Sequence, residues 1–141
     1  MFFGEHVYKL DDKGRVPLPP KFRRDLRESV VLTKGSEKCI RVYPLAEWKR
    51  VADELAARAV TNAAQRKLNR AIFGTAYSAV FDKQGRMALP LPLRLHAEIG
   101  ESVVVVGVNQ TIELWNEDLW KGEKAAAEEQ AEQILEGMGG S

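Results

Sequence analysis

The sequence predicts an α+β fold built from two copies of one small module, each a group of short strands followed by helices. Three observations predict it. First, Asp11-Asp12-Lys13-Gly14-Arg15-Val16-Pro17-Leu18-Pro19 returns 71 residues later as Asp82-Lys83-Gln84-Gly85-Arg86-Met87-Ala88-Leu89-Pro90, with identities at Asp, Gly, Arg, Leu and Pro. Second, the match runs on, pairing Phe22-Arg23 with Leu93-Arg94 and, after a two-residue slip, Glu28-Ser29-Val30-Val31 with Glu101-Ser102-Val103-Val104. It ends with Ile40-Arg41-Val42-Tyr43 against Ile112-Glu113-Leu114-Trp115, and Trp48 against Trp120. Third, strand-like alternation, turn residues and helical periodicity follow one another in the same order in both halves. A duplicated module implies a pseudo-symmetric surface that meets a repetitive partner.

Each element has a local reason. His6-Val7-Tyr8-Lys9-Leu10 alternates as a strand does, Asp11 to Gly14 has turn chemistry, and Arg15 to Leu18 resumes an extended run, so the pair reads as a hairpin. Pro17 cannot donate to a ladder and places its strand at an edge. Pro19-Pro20 then stops the strand and leads into a short helix from Lys21 to Leu26. Val30 to Lys34 and Cys39 to Tyr43 are two further strands, joined through Gly35-Ser36-Glu37-Lys38. The second copy repeats this order: a strand at Ala79 to Phe81, a turn at Asp82 to Gly85, a strand at Arg86 to Leu89 and a short helix near Leu93 to Ile99. Strands at Val103 to Val108 and Thr111 to Trp115 then flank Asn109-Gln110.

Between the copies, Leu45 to Phe73 is helical by period. Leu45, Trp48, Val51, Ala52, Leu55 and Ala59 share one face, and Leu68, Ile72 and Phe73 follow on a second helix starting at Thr61 or Asn62. After the second copy, Asn116 is suited to cap a helix whose first turn carries Glu117 and Asp118, and Gly137, Gly139 and Gly140 predict a frayed end. The expected organisation is a first module with helical arm at 1–60, a helical linker at 61–75, a second module with C-terminal helix at 76–136 and a flexible tail at 137–141.

With 141 residues and 45% hydrophobic content, the chain is expected to form one compact body. Its single cysteine, Cys39, sits beside Ile40 in an apolar run, as a small buried hydrophobe would in a reducing compartment. No basic segment with an apolar stretch opens the chain and no apolar run approaches membrane-spanning length, so the expected location is cytoplasmic, without membrane contact. Net charge is +1, but residues 117 to 141 carry seven acids against Lys121 and Lys124, which leaves +6 on the first 116 residues. Such a body attracts polyanions, although solvated surface charge also accounts for an excess of this size.

The repeated turn carries the chemistry. In Asp-x-x-Gly-Arg the carboxylates of Asp11 and Asp82 can accept backbone N–H bonds within the bend, while Gly14 and Gly85 supply a positive φ. A turn needs Asp and Gly but has no need of Arg. Retention of Arg15 and Arg86 at four residues from each Asp suggests ion pairs that orient the guanidinium groups. An Arg held at an exposed turn can contact phosphates, or read guanine O6 and N7 in a major groove that admits a two-stranded ribbon. Lys9, Lys13, Arg23 and Arg24 are then phosphate contacts or merely solvated surface. The second copy keeps fewer cations: Lys83, Arg86 and Arg94.

Catalysis finds less support. His6 and His96 are the only histidines, and HExxH, GxSxG, CxxC and phosphate-cradling glycine loops are all missing. Paired Asp11 and Asp12 resemble an acid and base, but a neighbouring cation would hold them ionised. No ligand cluster for a metal or cofactor stands out. The faces containing Trp48 and Trp120 suit core packing, subunit packing or a partner groove.

The opening Met-Phe-Phe-Gly-Glu-His, the stretch Lys-Leu-Asp-Asp-Lys-Gly-Arg-Val-Pro-Leu-Pro, its recurrence Phe-Asp-Lys-Gln-Gly-Arg-Met-Ala-Leu-Pro and the preceding Phe73-Gly74 resemble the bacterial MraZ family, relatives of the AbrB and SpoVT regulators. The resemblance spans about residues 1 to 135. It implies swapped-hairpin β modules forming a small barrel, ring-shaped homo-oligomers, and a nucleoid-associated regulator that binds double-stranded DNA at promoter repeats of the division and cell wall gene cluster. The family's Asp-x-x-x-Arg signature maps onto Asp11 with Arg15 and Asp82 with Arg86. Gln84 and Ala88 depart from Lys13 and Pro17 of the first copy. A scaffold, or an antitoxin of the AbrB-like kind, is the alternative.

Overall fold

The computed structural model describes residues 1–27, 29–58 and 62–139. Eight strands and five helices follow one another as β1 (Phe2–Lys9), β2 (Arg15–Pro17), α1 (Pro20–Leu26), β3 (Ser29–Lys34), β4 (Ile40–Pro44), α2 (Leu45–Ala56), α3 (Ala63–Ile72), β5 (Tyr77–Val80), β6 (Arg86–Ala88), α4 (Leu91–Ala97), β7 (Ser102–Asn109), β8 (Thr111–Trp115) and α5 (Glu117–Gly139). The chain is thus mixed α+β, with antiparallel pairing throughout.

The pairing departs from the expected local hairpins. The turn bonds are present, with the Asp11 amide donating to the Arg15 carbonyl at 3.0 Å and the Asp82 amide to the Arg86 carbonyl at 2.8 Å. Beyond the turns, however, the strands separate. β1 pairs with β7 of the second copy over eight residues, β5 pairs with β3 of the first copy over four, and β2 pairs with β6. The reason is length and apolarity. β7 offers an eight-residue ladder with Val103 to Val106 buried, whereas β2 is three residues long and contains Pro17, which has no N–H to give. β1 also begins at Phe2, earlier than alternation alone indicated.

Hydrogen-bonded strands form a six-stranded sheet ordered β1-β7-β8-β4-β3-β5 and a separate β2-β6 ribbon. Among the described residues this leaves β1 and β5 as sheet ends, so the strand pairing does not close the barrel implied by the resemblance. The short ribbon instead covers one face of the sheet.

Both copies feed one core. Val16, Leu18, Phe22 and Leu26 from the first and Met87, Leu89, Leu93 and Ala97 from the second pack on Val30, Leu32, Ile40, Val42, Val103, Val105, Ile112 and Leu114. Burying side chains such as Phe22 and Leu32 contributes roughly 1.5–3 kcal/mol each. The period of two sends Val104 and Val106 to the other face, where they meet Cys39, Trp115, Leu119 and Trp120. Burial pushes the Cys39 thiol up to about 12.

Helix ends follow local chemistry. Pro19-Pro20 and Pro90-Leu91-Pro92 open α1 and α4, since a proline in the first turn forgoes no helical bond. The Asn62 side chain accepts from the Gln65 amide at 2.7 Å and caps α3; Ala59 and Thr61 lie outside the described residues. The Asn116 side chain accepts from the amides of Asp118 and Leu119 at 2.8 and 3.0 Å. Trp48 of α2 sits between Tyr43 and Phe73, each ring centroid 5.2 Å away, although its helix face is half-buried and Leu45 stays exposed. The helix α5 includes Gly137 to Gly139, while Gly140 and Ser141 of the expected tail lie outside the described residues. Among the described residues, no helix is long and apolar enough to cross a membrane.

A Cβ at Gly107 would stand against the backbone of Phe2 and Phe3 on the neighbouring strand. Gly107→Ala is therefore expected to push β1 off β7 and lower stability by about 1–3 kcal/mol. Urea unfolding checks this, together with hydrogen exchange, in which residues 2–9 lose protection first.

Candidate nucleic-acid interface

Both turns are built from the same bonds. The Asp11 Oδ1 accepts from the amides of Lys13 and Arg15 at 2.9 and 3.0 Å, and its Oδ2 accepts from the Arg15 Nε at 2.6 Å. The Asp82 Oδ1 accepts from the amides of Gln84 and Arg86, each at 2.9 Å, and its Oδ2 from the Arg86 Nε at 3.0 Å. Gly14 and Gly85 hold φ of 72° and 76°, which a side chain would resist. One carboxylate therefore closes the bend and aims the arginine that follows it.

The β2-β6 ladder then brings the two turns together. Arg15 lies opposite Ala88, Arg86 opposite Pro17, and Val16 meets Met87 between them. The Arg86 Nη1 reaches the Asp11 Oδ2 at 3.3 Å, so one carboxylate oxygen receives both guanidinium groups. Residues 75 apart in sequence carry no spacing signal for this contact. The Arg15 and Arg86 side chains remain 30% and 26% exposed. Among the described residues Arg15 commits only its Nε, which leaves its terminal N–H groups for a ligand. Two planar donor forks held side by side suit phosphate or guanine edges, and their orientation is fixed before any ligand arrives.

The remaining candidates surround this pair. Lys9, Lys13, Lys83 and Arg24 are exposed. Arg23 differs: its guanidinium lies over Gly85, and its Nε is buried without a hydrogen-bond partner. The equivalent Arg94 lies over Gly14 and donates its Nε to the Leu89 carbonyl at 2.9 Å. Each first helix thus braces the turn of the opposite copy. The repeat aligned Arg23 with Arg94, but only the tertiary arrangement assigns them this packing.

Charge at the turns is firm. Backbone and side-chain bonds from Arg15, and the Lys13 amide, hold the Asp11 carboxyl at about 2 against burial that opposes them. The Arg86 amide is the main cause of a lowered value at Asp82. The two histidines are engaged elsewhere: His6 packs edge-on to Phe22 at 5.7 Å, and the His96 Nε2 lies 3.1 Å from the Glu37 carbonyl. Among the described residues no group of three His, Cys, Asp or Glu is arranged to hold a metal ion.

Comparison with known proteins finds the same duplication. The chain matches the sequence family described as "MraZ protein, putative antitoxin-like" twice, over residues 1–71 and 72–138. A protein of Dehalococcoides mccartyi named "Transcriptional regulator MraZ" is 48% identical over 137 residues, covering 96% of each chain. Proteins of the same name from Salinispora arenicola and Limosilactobacillus fermentum are 42% and 40% identical, over 98% and 99% of this chain and 97% and 98% of theirs.

The depressed Asp11 carboxyl fixes a sign. Its contribution to the turns is complete above its ordinary value of 3.8 and is lost as pH falls through about 2. A carbon-detected NMR titration is expected to place its midpoint near 2. In Asp11→Asn that part of the acid dependence disappears, and the Arg15 Nε resonance broadens or shifts toward free arginine, whereas the Arg86 Nε, bonded to Asp82, holds its position.

Proposed function

The chain belongs to the MraZ family, and from that premise we propose that it is a transcriptional regulator that binds double-stranded DNA sequence-specifically through Arg15 and Arg86. One observation carries the reading: the two guanidinium groups stand half-exposed at adjacent turns, locked to a shared carboxylate. The two signature turns then act as one double-headed reader. Lys9, Lys13, Arg23, Arg24 and Lys83 supply positioning charge around it, as backbone contacts do in protein–DNA interfaces.

The rest of the proposal follows from the family. The regulated DNA is a set of promoter repeats of the bacterial division and cell wall gene cluster, and the protein is cytoplasmic and nucleoid-associated. Ring-like homo-oligomers with swapped-hairpin modules would let several such readers engage successive repeats, so that modest contacts multiply through effective concentration. This reconciles a net charge of +1 with a polyanionic partner, since the excess acid belongs to α5 and not to the turns. No step of this function requires catalysis or a cofactor.

The antitoxin-like wording of the family description favours a second reading, a non-enzymatic interaction protein such as an AbrB-like antitoxin or scaffold. The two separate on salt. A DNA reader loses affinity steeply as salt rises, whereas a scaffold shows neither a salt slope nor sequence preference.

In gel retardation with its own upstream DNA, Arg15→Ala and Arg86→Ala are each expected to cost about 1–3 kcal/mol per contacted site, more across an assembly, and to relax sequence preference. Unchanged operator affinity with fold and oligomeric state intact would remove the substituted arginine from the interface.

A further inference from the structure

The two turns are each flanked by a groove formed with the first helix of the opposite copy, and the two grooves differ in charge. Between α1 and the β5–β6 turn, Arg23, Arg24, Arg27 and Lys83 surround Asp82, the one carboxylate among the described lining residues. Between α4 and the β1–β2 turn, Lys9 and Arg94 face Asp11, Asp12 and Glu101. At equivalent positions of the repeat, Arg24 is replaced by Leu95, Arg27 by Glu98 and Lys83 by Asp12. The backbone frame is shared; the electrostatics are opposed.

We propose that the α1 groove is the one that grips the phosphodiester backbone of duplex DNA, while its counterpart holds none, so that each chain lies on the duplex in a single direction. This rests on the DNA-binding reading above and assigns its backbone contacts to one side.

Two further observations carry it. Among the described residues Arg24, Arg27 and Lys83 enter no ion pair, unlike Arg15, Arg41, Arg50 and Arg86, which all find carboxylates. The Arg23 Nε is enclosed and unpartnered, whereas the Arg94 Nε in the other groove is satisfied by the Leu89 carbonyl. Three exposed cations without carboxylate partners call for an oxygen-rich anion, with the enclosed Arg23 guanidinium adding uncompensated charge from beneath, and a phosphodiester supplies acceptor oxygens at the charge spacing of a duplex. In the other groove Asp12 and Glu101 would repel the same strand.

The test compares salt slopes of DNA binding for the full chain. Arg24→Ala and Lys83→Ala are each expected to lower the slope of log K against log salt by about 0.9 per bound subunit, and to weaken operator and unrelated duplex by the same factor. Leu95→Ala, at the equivalent place in the other groove, leaves the slope where it was. Lys83 is an exposed turn residue, so its variant serves even where the helix variant folds poorly; circular dichroism and sedimentation verify both. Unaltered slopes in Arg24→Ala and Lys83→Ala, alongside a steep wild-type slope and a loss in Arg15→Ala, overturn the groove and leave the DNA reading standing. Absence of DNA binding by the wild type at every salt concentration removes both. Inorganic phosphate at constant ionic strength is the second arm. If it saturates the Arg23, Arg24 and Arg27 resonances and duplex fails to displace it, the groove belongs to free phosphate and the backbone assignment falls.

Discussion

The candidate interface depends on the antiparallel pairing of β2 with β6. Three residue pairs hold it, centred on buried Val16 and Met87. Because these two side chains are sealed in the shared core, the turns at the strand ends cannot drift apart without exposing apolar surface. The same register places Arg86 within reach of Asp11, so a hydrophobic constraint sets an electrostatic geometry. The ion pairs themselves add little to stability at this exposure. Their work is directional: carboxylates already bonded to backbone amides present a fixed acceptor, and each guanidinium turns about it with little freedom.

Exchange of strands between copies is the second organising feature. β1 lies on the second copy's β7 and β5 on the first copy's β3, while β4 meets β8 at the centre of the sheet. The two halves therefore share one core and have no separate interiors. Duplication within one chain also frees equivalent positions to differ. Arg41 and its counterpart Glu113 face each other across β4 and β8 and pair at 3.2 Å, where two identical modules would oppose like charges. Divergence of the same kind separates the grooves beside the turns and gives the surface a direction despite its symmetric frame.

The helices divide the labour differently. α1 and α4 are short, open on proline, and bury Phe22 and Leu26, or Leu93 and Ala97, beneath the turns. α5 caps the opposite face through Leu119 and Trp120, is tied to β1 by Lys124 and Glu5 at 3.0 Å, and carries the acidic excess. Its C-terminal turns leave Ile134, Leu135 and Met138 exposed. Concentrating acid on one long helix lets the first 116 residues stay basic while the chain as a whole remains nearly neutral.

By itself the sequence determined the duplication, the turn chemistry and most element positions. These rest on short-range rules: Asp and Gly at fixed places in a bend, proline at a helix start, alternation along a strand, Asn62 and Asn116 at caps. Even the bond that Arg15 donates to Asp11 was legible, because four residues across a turn leave little choice of geometry. Only the tertiary structure decided which strands pair, that Arg86 also reaches Asp11, and that Arg23 and Arg94 brace the opposite turns. A local hairpin and an exchanged one share the same alternation and the same turn. The choice between them turns on long-range burial, in which the valine ladder of β7 and the pairing of Val16 with Met87 prevail over contacts nearer in sequence.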